Sequence, residues 1–234
     1  ENEDNMGEFV ECVQGIGEAS KYLNFPVVSG NVSFYNQTKD VGIKPTPSIG
    51  GVGLIKDYKK MITMDLKKID NLVLVIGKTE GHIDQSLFAR AILDEKNGPP
   101  PEVNLFNEKN NGESLLNLIN KDYIQSAHDI SLGGLITAIS KMCIQGNKGI
   151  KLKKANNFVN ELEYLFCEDQ GRYIIEIKPE DLKEVTNLLD KNSVHYDELG
   201  IITDKEMIIN QKTKLTIDEL KSYYTNWLTN YMSA

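Results

Sequence analysis

The sequence predicts a layered protein of mixed class, α/β in its first part and α+β in its second. From Leu72 onward, short apolar runs bounded by Gly, Pro or Asn alternate with segments of helical periodicity, the pattern of helices covering a sheet. Of the 234 residues 40% are hydrophobic, an ordinary share for a globular chain with a real core. The first ~65 residues hold one long helix and few strands, too little to close a core alone. Two units are therefore expected, 1–65 and 66–234, joined where Lys56, Lys59, Lys60, Lys67 and Lys68 cluster. The first reads as the tail of a larger domain.

In the first unit, Met6, Phe9, Val10, Val13, Ile16, Ser20 and Leu23 recur at near-helical spacing and predict an amphipathic helix. Gly15 and Gly17 weaken it intrinsically, so they are expected to mark close packing against a neighbour. Pro26 to Ser29 predicts a short buried strand, Phe34 and Tyr35 the start of another, and the glycine-rich Ser48 to Ile55 a third. In the second unit, Leu72 to Gly77 predicts a strand, Gln85 to Asp94 a helix, and Gly98 to Pro101 a stiff extended loop. Gly112 to Asn120 belongs to a helix, Ile124 to Ala127 to a strand end, and Leu135 to Met142 to a helix. Tyr173 to Ile177 is a strand and Asp181 to Leu189 a helix, with two or three short strands between Leu199 and Leu215. A last helix begins at Ile217. Its stripe of Leu220, Tyr223, Tyr224, Trp227, Leu228 and Tyr231 is a docking face rather than a cofactor box.

Charge and composition exclude several classes of function. Lys plus Arg number 26 against 34 Asp plus Glu, for a net charge of −8 without a basic patch, which argues against nucleic acid. The longest clean apolar run, Leu72 to Ile76, is far short of the ~20 residues that span a bilayer. Cys12, Cys143 and Cys167 are odd in number and widely spaced, suggesting neither disulfides nor zinc and fitting a reducing cytoplasm. The polar, acidic start has no secretory pattern and no initiator Met, so the chain is expected to be cut from something longer.

Three stretches carry side chains capable of chemistry. In Val27 to Asn36, a strand delivers Gly30, Asn31 and Ser33 into a turn. Gly30 would let backbone N–H groups approach an anion, Ser33 offers a hydroxyl to phosphate oxygen, and Asn31 a neutral oxygen to Mg²⁺. The plainer alternative is a tight Gly-Asn turn. In Ala127 to Leu135, His128, Asp129 and Ser131 precede a glycine-opened helix, whose N-terminus attracts anions. Here Asp129 or Ser131 as a helix N-cap is the simpler reading. Phe166 to Arg172 places Glu168, Asp169 and Arg172 in a turn, expected as a solvated, self-paired loop. His82 and His195 stand apart from each other and from the cysteines, as surface or satisfied histidines. Neither a Walker A, a Gly-x-Gly-x-x-Gly nor a His-Glu-x-x-His pattern is present.

Pro26-Val27-Val28-Ser29-Gly30-Asn31-Val32-Ser33-Phe34-Tyr35-Asn36 and Pro45-Thr46-Pro47-Ser48-Ile49-Gly50-Gly51-Val52-Gly53-Leu54-Ile55 resemble consecutive motifs of the synthetase subunit of phosphoribosylformylglycinamidine synthases. The likeness continues in order through Ile76 to Thr79, Gly98 to Pro101, Ala127 to Ser131, Gly133 to Leu135 and Leu165 to Tyr173. These enzymes belong to the aminoimidazole ribonucleotide synthetase superfamily, which pairs an ATP-binding N-type α/β domain with a C-type α+β domain. The resemblance implies that 1–65 is the later part of a second N-type domain and 66–234 a complete second C-type domain.

The resemblance also implies an activity: ATP-dependent ligation of ammonia to formylglycinamide ribonucleotide, forming an amidine in purine biosynthesis. It makes Gly30 an ATP contact, Asn31 a Mg²⁺ ligand and Ser33 a substrate contact, and puts no catalytic residue in this chain. The catalytic histidine and an acidic nucleotide contact would lie in the missing N-terminal half of the polypeptide, so the isolated chain should be inactive. The other implied partners are a glutaminase subunit and, in multi-subunit systems, a small accessory subunit. Leu132 departs from the family, which often has an acidic residue there. Alternatives are a non-catalytic half with a structural nucleotide, or another ATP-dependent member of the superfamily.

Overall fold

A computed structural model describes residues 3–154 and 160–233. It divides into two compact units, Glu1–Lys56 and Asp57–Ala234.

In the first unit, α1 (Glu3–Tyr22) follows the expected apolar spacing, with Glu3 and Asp4 in the first turn and Lys21 in the last, as the helix dipole favours. None of its residues is buried. Among the described residues nothing lies within 4 Å of a Cβ position at Gly15 or Gly17, so the close packing expected of them is not found there. The ladder here is a two-residue hairpin, β1 (Gln37–Thr38) with β2 (Val41–Gly42). The strands expected at Pro26 to Ser29, at Phe34–Tyr35 and at Ser48 to Ile55 are irregular, exposed segments instead. Val28 is 92% and Val52 93% exposed. A strand needs a neighbour to receive its backbone hydrogen bonds, and the described residues offer these segments none.

The second unit holds β3 (Leu72–Ile76), α2 (Leu87–Ala91), α3 (Leu105–Asn120), β4 (Ile124–Asp129), α4 (Gly134–Gly146), β5 (Gly149–Leu152) and α5 (Glu161–Phe166). There follow β6 (Tyr173–Ile177), α6 (Leu182–Lys191), β7 (Tyr196–Thr203), β8 (Glu206–Ile209), β9 (Thr213–Thr216) and α7 (Ile217–Met232). Seven strands form one sheet in the order β4-β6-β3-β7-β5-β8-β9. Every neighbouring pair is antiparallel except β5 with β8. The expected helix at Gln85 to Asp94 shrinks to the short α2, capped by Ser86 Oγ.

Both faces of the sheet are covered, which is why β3 reads as an unbroken apolar run. Val73 and Val75 point to a core shared with Leu135, Ile139 and Met142 of α4, Leu165 of α5 and Ile217 of α7. Leu74 and Ile76 point to the opposite core, with Leu115 and Leu118 of α3 and Val185 and Leu189 of α6. Residues 57–71 pack on this unit. Leu66 is buried and its N–H donates to Met142 O, while Lys60 pairs with Asp122. The fully buried Glu176 of β6 holds the stretch down, accepting from the N–H groups of Lys67 (2.8 Å) and Lys68 (3.1 Å), Asn71 Nδ2 (2.7 Å) and Ser126 Oγ (2.8 Å). A buried carboxylate is tolerated because four donors replace its water.

Candidate functional site

Strand register brings three loops to one end of the sheet. In the antiparallel pairings Ile76 and Asp129 both stand opposite Tyr173. The chain leaving β3 (77–86), the chain leaving β4 (130–133) and the turn entering β6 (167–172) therefore meet there.

The 167–172 turn is the centre of this region. Asp169 is 6% exposed and accepts three backbone N–H groups, from Glu80 (2.7 Å), Gly81 (3.0 Å) and His82 (3.1 Å). Burial alone pushes its carboxyl up, but the N–H groups of Gly81 and Glu80 and the Arg172 guanidinium outweigh this and hold it below the usual carboxylate range. Glu168 Oε1 accepts from Leu87 N (2.7 Å) and Gly133 N (2.8 Å), so one oxygen serves the starts of both α2 and α4. Arg172, 1% exposed, donates to the carbonyls of Asp169 (3.2 Å) and Cys167 (2.8 Å) and to Thr79 Oγ1 (3.2 Å). Gly77 makes room for this arrangement. At φ 94°, a Cβ there would lie 2.7 Å from Gly171 O.

Helix α3 braces the turn from the other core. Asn111 Nδ2 donates to Gly171 O (2.9 Å), and Glu108 accepts the Gly171 N–H. Burial raises the Glu108 carboxyl above its ordinary range, partly offset by that hydrogen bond. Tyr173 is likewise raised by burial first and then by the charges of Glu108 and Asp129.

Two expectations fail here. The 166–172 turn is not a solvated loop and is only partly self-paired: Asp169 and Arg172 are buried, and although Arg172 donates to two carbonyls of the turn, Asp169 takes its three N–H groups from the distant 80–82 segment. Neither Asp129 nor Ser131 caps α4. The N-cap is Gly133 at φ 86° with no side-chain cap bond, and its N–H goes to Glu168. The chain's own Glu168 carboxylate thus sits at that helix start. His128 Nδ1 lies 3.1 Å from Asp129 Oδ1, and Leu132 is 55% exposed. His82 Nε2 meets Pro99 O at 3.0 Å and His195 Nε2 meets Asp197 Oδ2 at 3.2 Å, the satisfied histidines expected. Around this braced turn, Lys78, Glu80, Asp129, Ser131 and Gln170 are exposed.

Gly30, Asn31 and Ser33 lie in the first unit, in the irregular exposed segment after α1. Ser33 O accepts from Asn36 Nδ2 (3.3 Å), and the neighbouring Phe34 ring tilts against Phe9 at 5.3 Å between centroids. A Cβ at Gly30 would meet nothing within 4 Å, so the backbone there is open to a ligand. Among the described residues no three His, Cys, Asp or Glu side chains converge to hold a metal. Mg²⁺ takes near-octahedral oxygen coordination, to which an Asn31 side chain could contribute one neutral oxygen. Sequence reasoning missed the structural burden of Asp169, Arg172, Glu108 and Asn111. The available signal was Gly171, a positive-φ residue between a charged turn and an apolar strand.

The model of the AIR synthase related protein C-terminal domain matches residues 68–210, and that of the N-terminal domain matches residues 1–55. The PurL subunit of phosphoribosylformylglycinamidine synthase from Pelagibacter ubique is 72% identical over 232 residues, covering 99% of this chain and 32% of that protein. The subunit from Bartonella henselae is 40% identical over 227 residues, covering 97% and 31%. The chain thus spans about a third of the length of the curated relatives it matches. Among solved structures, Thermotoga maritima PurL complexed with FGAR superposes with a TM-score of 0.58 at 15% identity, over 70% of this chain and 30% of that one. The PurLQS structure from the same organism gives 0.56 at 16%, over 70% and 28%. At such identity the likeness is one of fold, and it agrees with the layered α/β and α+β class read from the sequence. With the family's two domains matched in chain order, and its C-terminal domain alone taking in more than half of the residues, the chain belongs to the AIR synthase related proteins.

Proposed function

We propose that this chain is the C-terminal third of a PurL-type phosphoribosylformylglycinamidine synthase. The whole polypeptide would use ATP and ammonia to convert formylglycinamide ribonucleotide to the amidine in cytoplasmic purine synthesis. The observation that carries this reading is 72% identity over 232 residues to the Pelagibacter ubique PurL subunit. Residues 1–56 would be the later part of an N-type domain, whose exposed Val28, Val52 and Leu54 await strands from elsewhere in the polypeptide. Within that domain, Gly30 would give backbone access to ATP phosphate and Ser33 a hydroxyl to the ribonucleotide. Asn31 would add one neutral oxygen to a Mg²⁺ site completed by other groups. The second unit would supply a rigid platform, its 167–172 turn fixing the loops that leave β3 and β4. Ammonia would come from a glutaminase subunit, in an assembly of the kind named for the Thermotoga PurLQS structure.

The test incubates purified chain with ATP, Mg²⁺, formylglycinamide ribonucleotide and excess ammonium, beside the intact gene product under the same conditions. Amidine should accumulate only with the intact polypeptide. Turnover by the 234-residue chain would remove the claim that it is an incomplete part. Inactivity of the intact product with ammonium would remove the assignment itself.

A further inference from the structure

Helix α7 is anchored in the core of the second unit at its start and exposed along the rest of its length. Ile217 is 1% exposed and Leu220 packs against the same core. The apolar stripe then continues without cover through Tyr223, Tyr224, Trp227, Leu228, Tyr231 and Met232, all between 58% and 79% exposed. Trp227 and Tyr231 stack on each other with ring centroids 5.4 Å apart. No residue from Ser222 to Ser233 is charged.

The shape of the stripe narrows the occupant. At ~100° per residue these six side chains spread over about 180° of the helix circumference. Two helices meeting side by side bury a narrower seam, so a second copy of α7 would leave one flank of the stripe wet. A groove that takes a helix from both sides covers it. Uncharged Tyr, Trp and Leu without a charged rim also suit a permanent contact better than a reversible one. Permanent partners are at hand within the polypeptide, because the match to the Pelagibacter ubique relative accounts for only 32% of that protein.

We infer that residues 223–232 of α7 seat in a groove formed by the remaining two thirds of the intact polypeptide, as an interface between its parts. This rests on the reading of the chain as part of a longer synthase. The natural gene product should therefore be about three times the mass of this chain. Hydrogen exchange is then compared between the intact product and the 234-residue chain, with light scattering to follow their oligomeric state. The expected result is at least tenfold slower exchange over 223–232 in a monomeric intact product. In parallel, Trp227→Gln should lower the melting temperature of the intact product while leaving that of the 234-residue chain unchanged. Equal exchange in the two proteins overturns the inference. So does protection that appears only with dimerisation, or only when a glutaminase subunit is added. A natural product of 26.3 kDa overturns both the inference and the reading beneath it. A long, active polypeptide with an unprotected α7 overturns the inference alone.

Discussion

Replacing one oxygen of Asp169 by nitrogen tests how the platform is built. Asp169 Oδ2 serves the N–H groups of Glu80 and Gly81, and Oδ1 serves that of His82. In Asp169→Asn the amide oxygen keeps the first pair only by turning its NH₂ toward His82, so a donor faces a donor. Leaving that N–H unpaired costs about 1–3 kcal/mol. The two surviving bonds fall from charge-assisted to neutral strength, worth about 1 kcal/mol more. Arg172, 1% exposed, also loses the nearby negative charge that helps hold the carboxyl low. The expected loss is therefore about 2–4 kcal/mol, or roughly 5–15 °C in melting temperature for a unit of this size. Circular dichroism of the chain in urea and on heating reads it. The pH dependence supplies a control. Because the folded Asp169 carboxyl lies below its ordinary 3.8, its contribution is complete above the unfolded value and is lost as pH falls through the folded one. Wild type and variant should differ by a constant amount well above the ordinary value of 3.8, and that difference should shrink only as pH falls through the lower folded value. A loss under ~1 kcal/mol, or a difference that persists in acid, would show that the three N–H bonds to Asp169 do not hold the 80–82 loop.

Gly77→Ala should cost about 3 kcal/mol or more in urea unfolding, because it forces a positive φ and sets a methyl 2.7 Å from Gly171 O. Burial pushes the Cys143 thiol up to about 12 and the Cys167 thiol up to about 11, while Cys12 is partly exposed. Mass spectrometry after iodoacetamide at about pH 8 should therefore find one adduct on native chain and three after denaturation; native labelling of Cys167 would contradict a closed turn. In the intact enzyme, Asn31→Ala should weaken nucleotide binding several-fold in the presence of Mg²⁺ and have little effect without it, as read by titration calorimetry. Equal affinity across a Mg²⁺ series would exclude Asn31 as a ligand.

What the sequence determined by itself was local and periodic. Helices α1, α3, α4, α6 and α7 and strands β3 and β6 were legible because helical spacing or an unbroken apolar run identifies each within one segment. The order of family motifs was equally local, and it carried the superfamily. Tertiary structure decided everything that depends on a partner far along the chain. Strand β5, four residues of which Lys151 is exposed, exists because β7 and β8 flank it. The apolar stretches at 26–29 and 48–55 read as strands, yet find no ladder partner among the described residues and stay irregular. No side chain of Asp129 or Ser131 caps α4, and Glu168, 35 residues away, accepts the Gly133 N–H at its start, while Asp169 bonds to N–H groups 87 to 89 residues distant. A carboxylate in a turn has the same local signature whether it faces water or backbone N–H groups. Only the register that sets Ile76 and Asp129 beside Tyr173 brings those N–H groups to it.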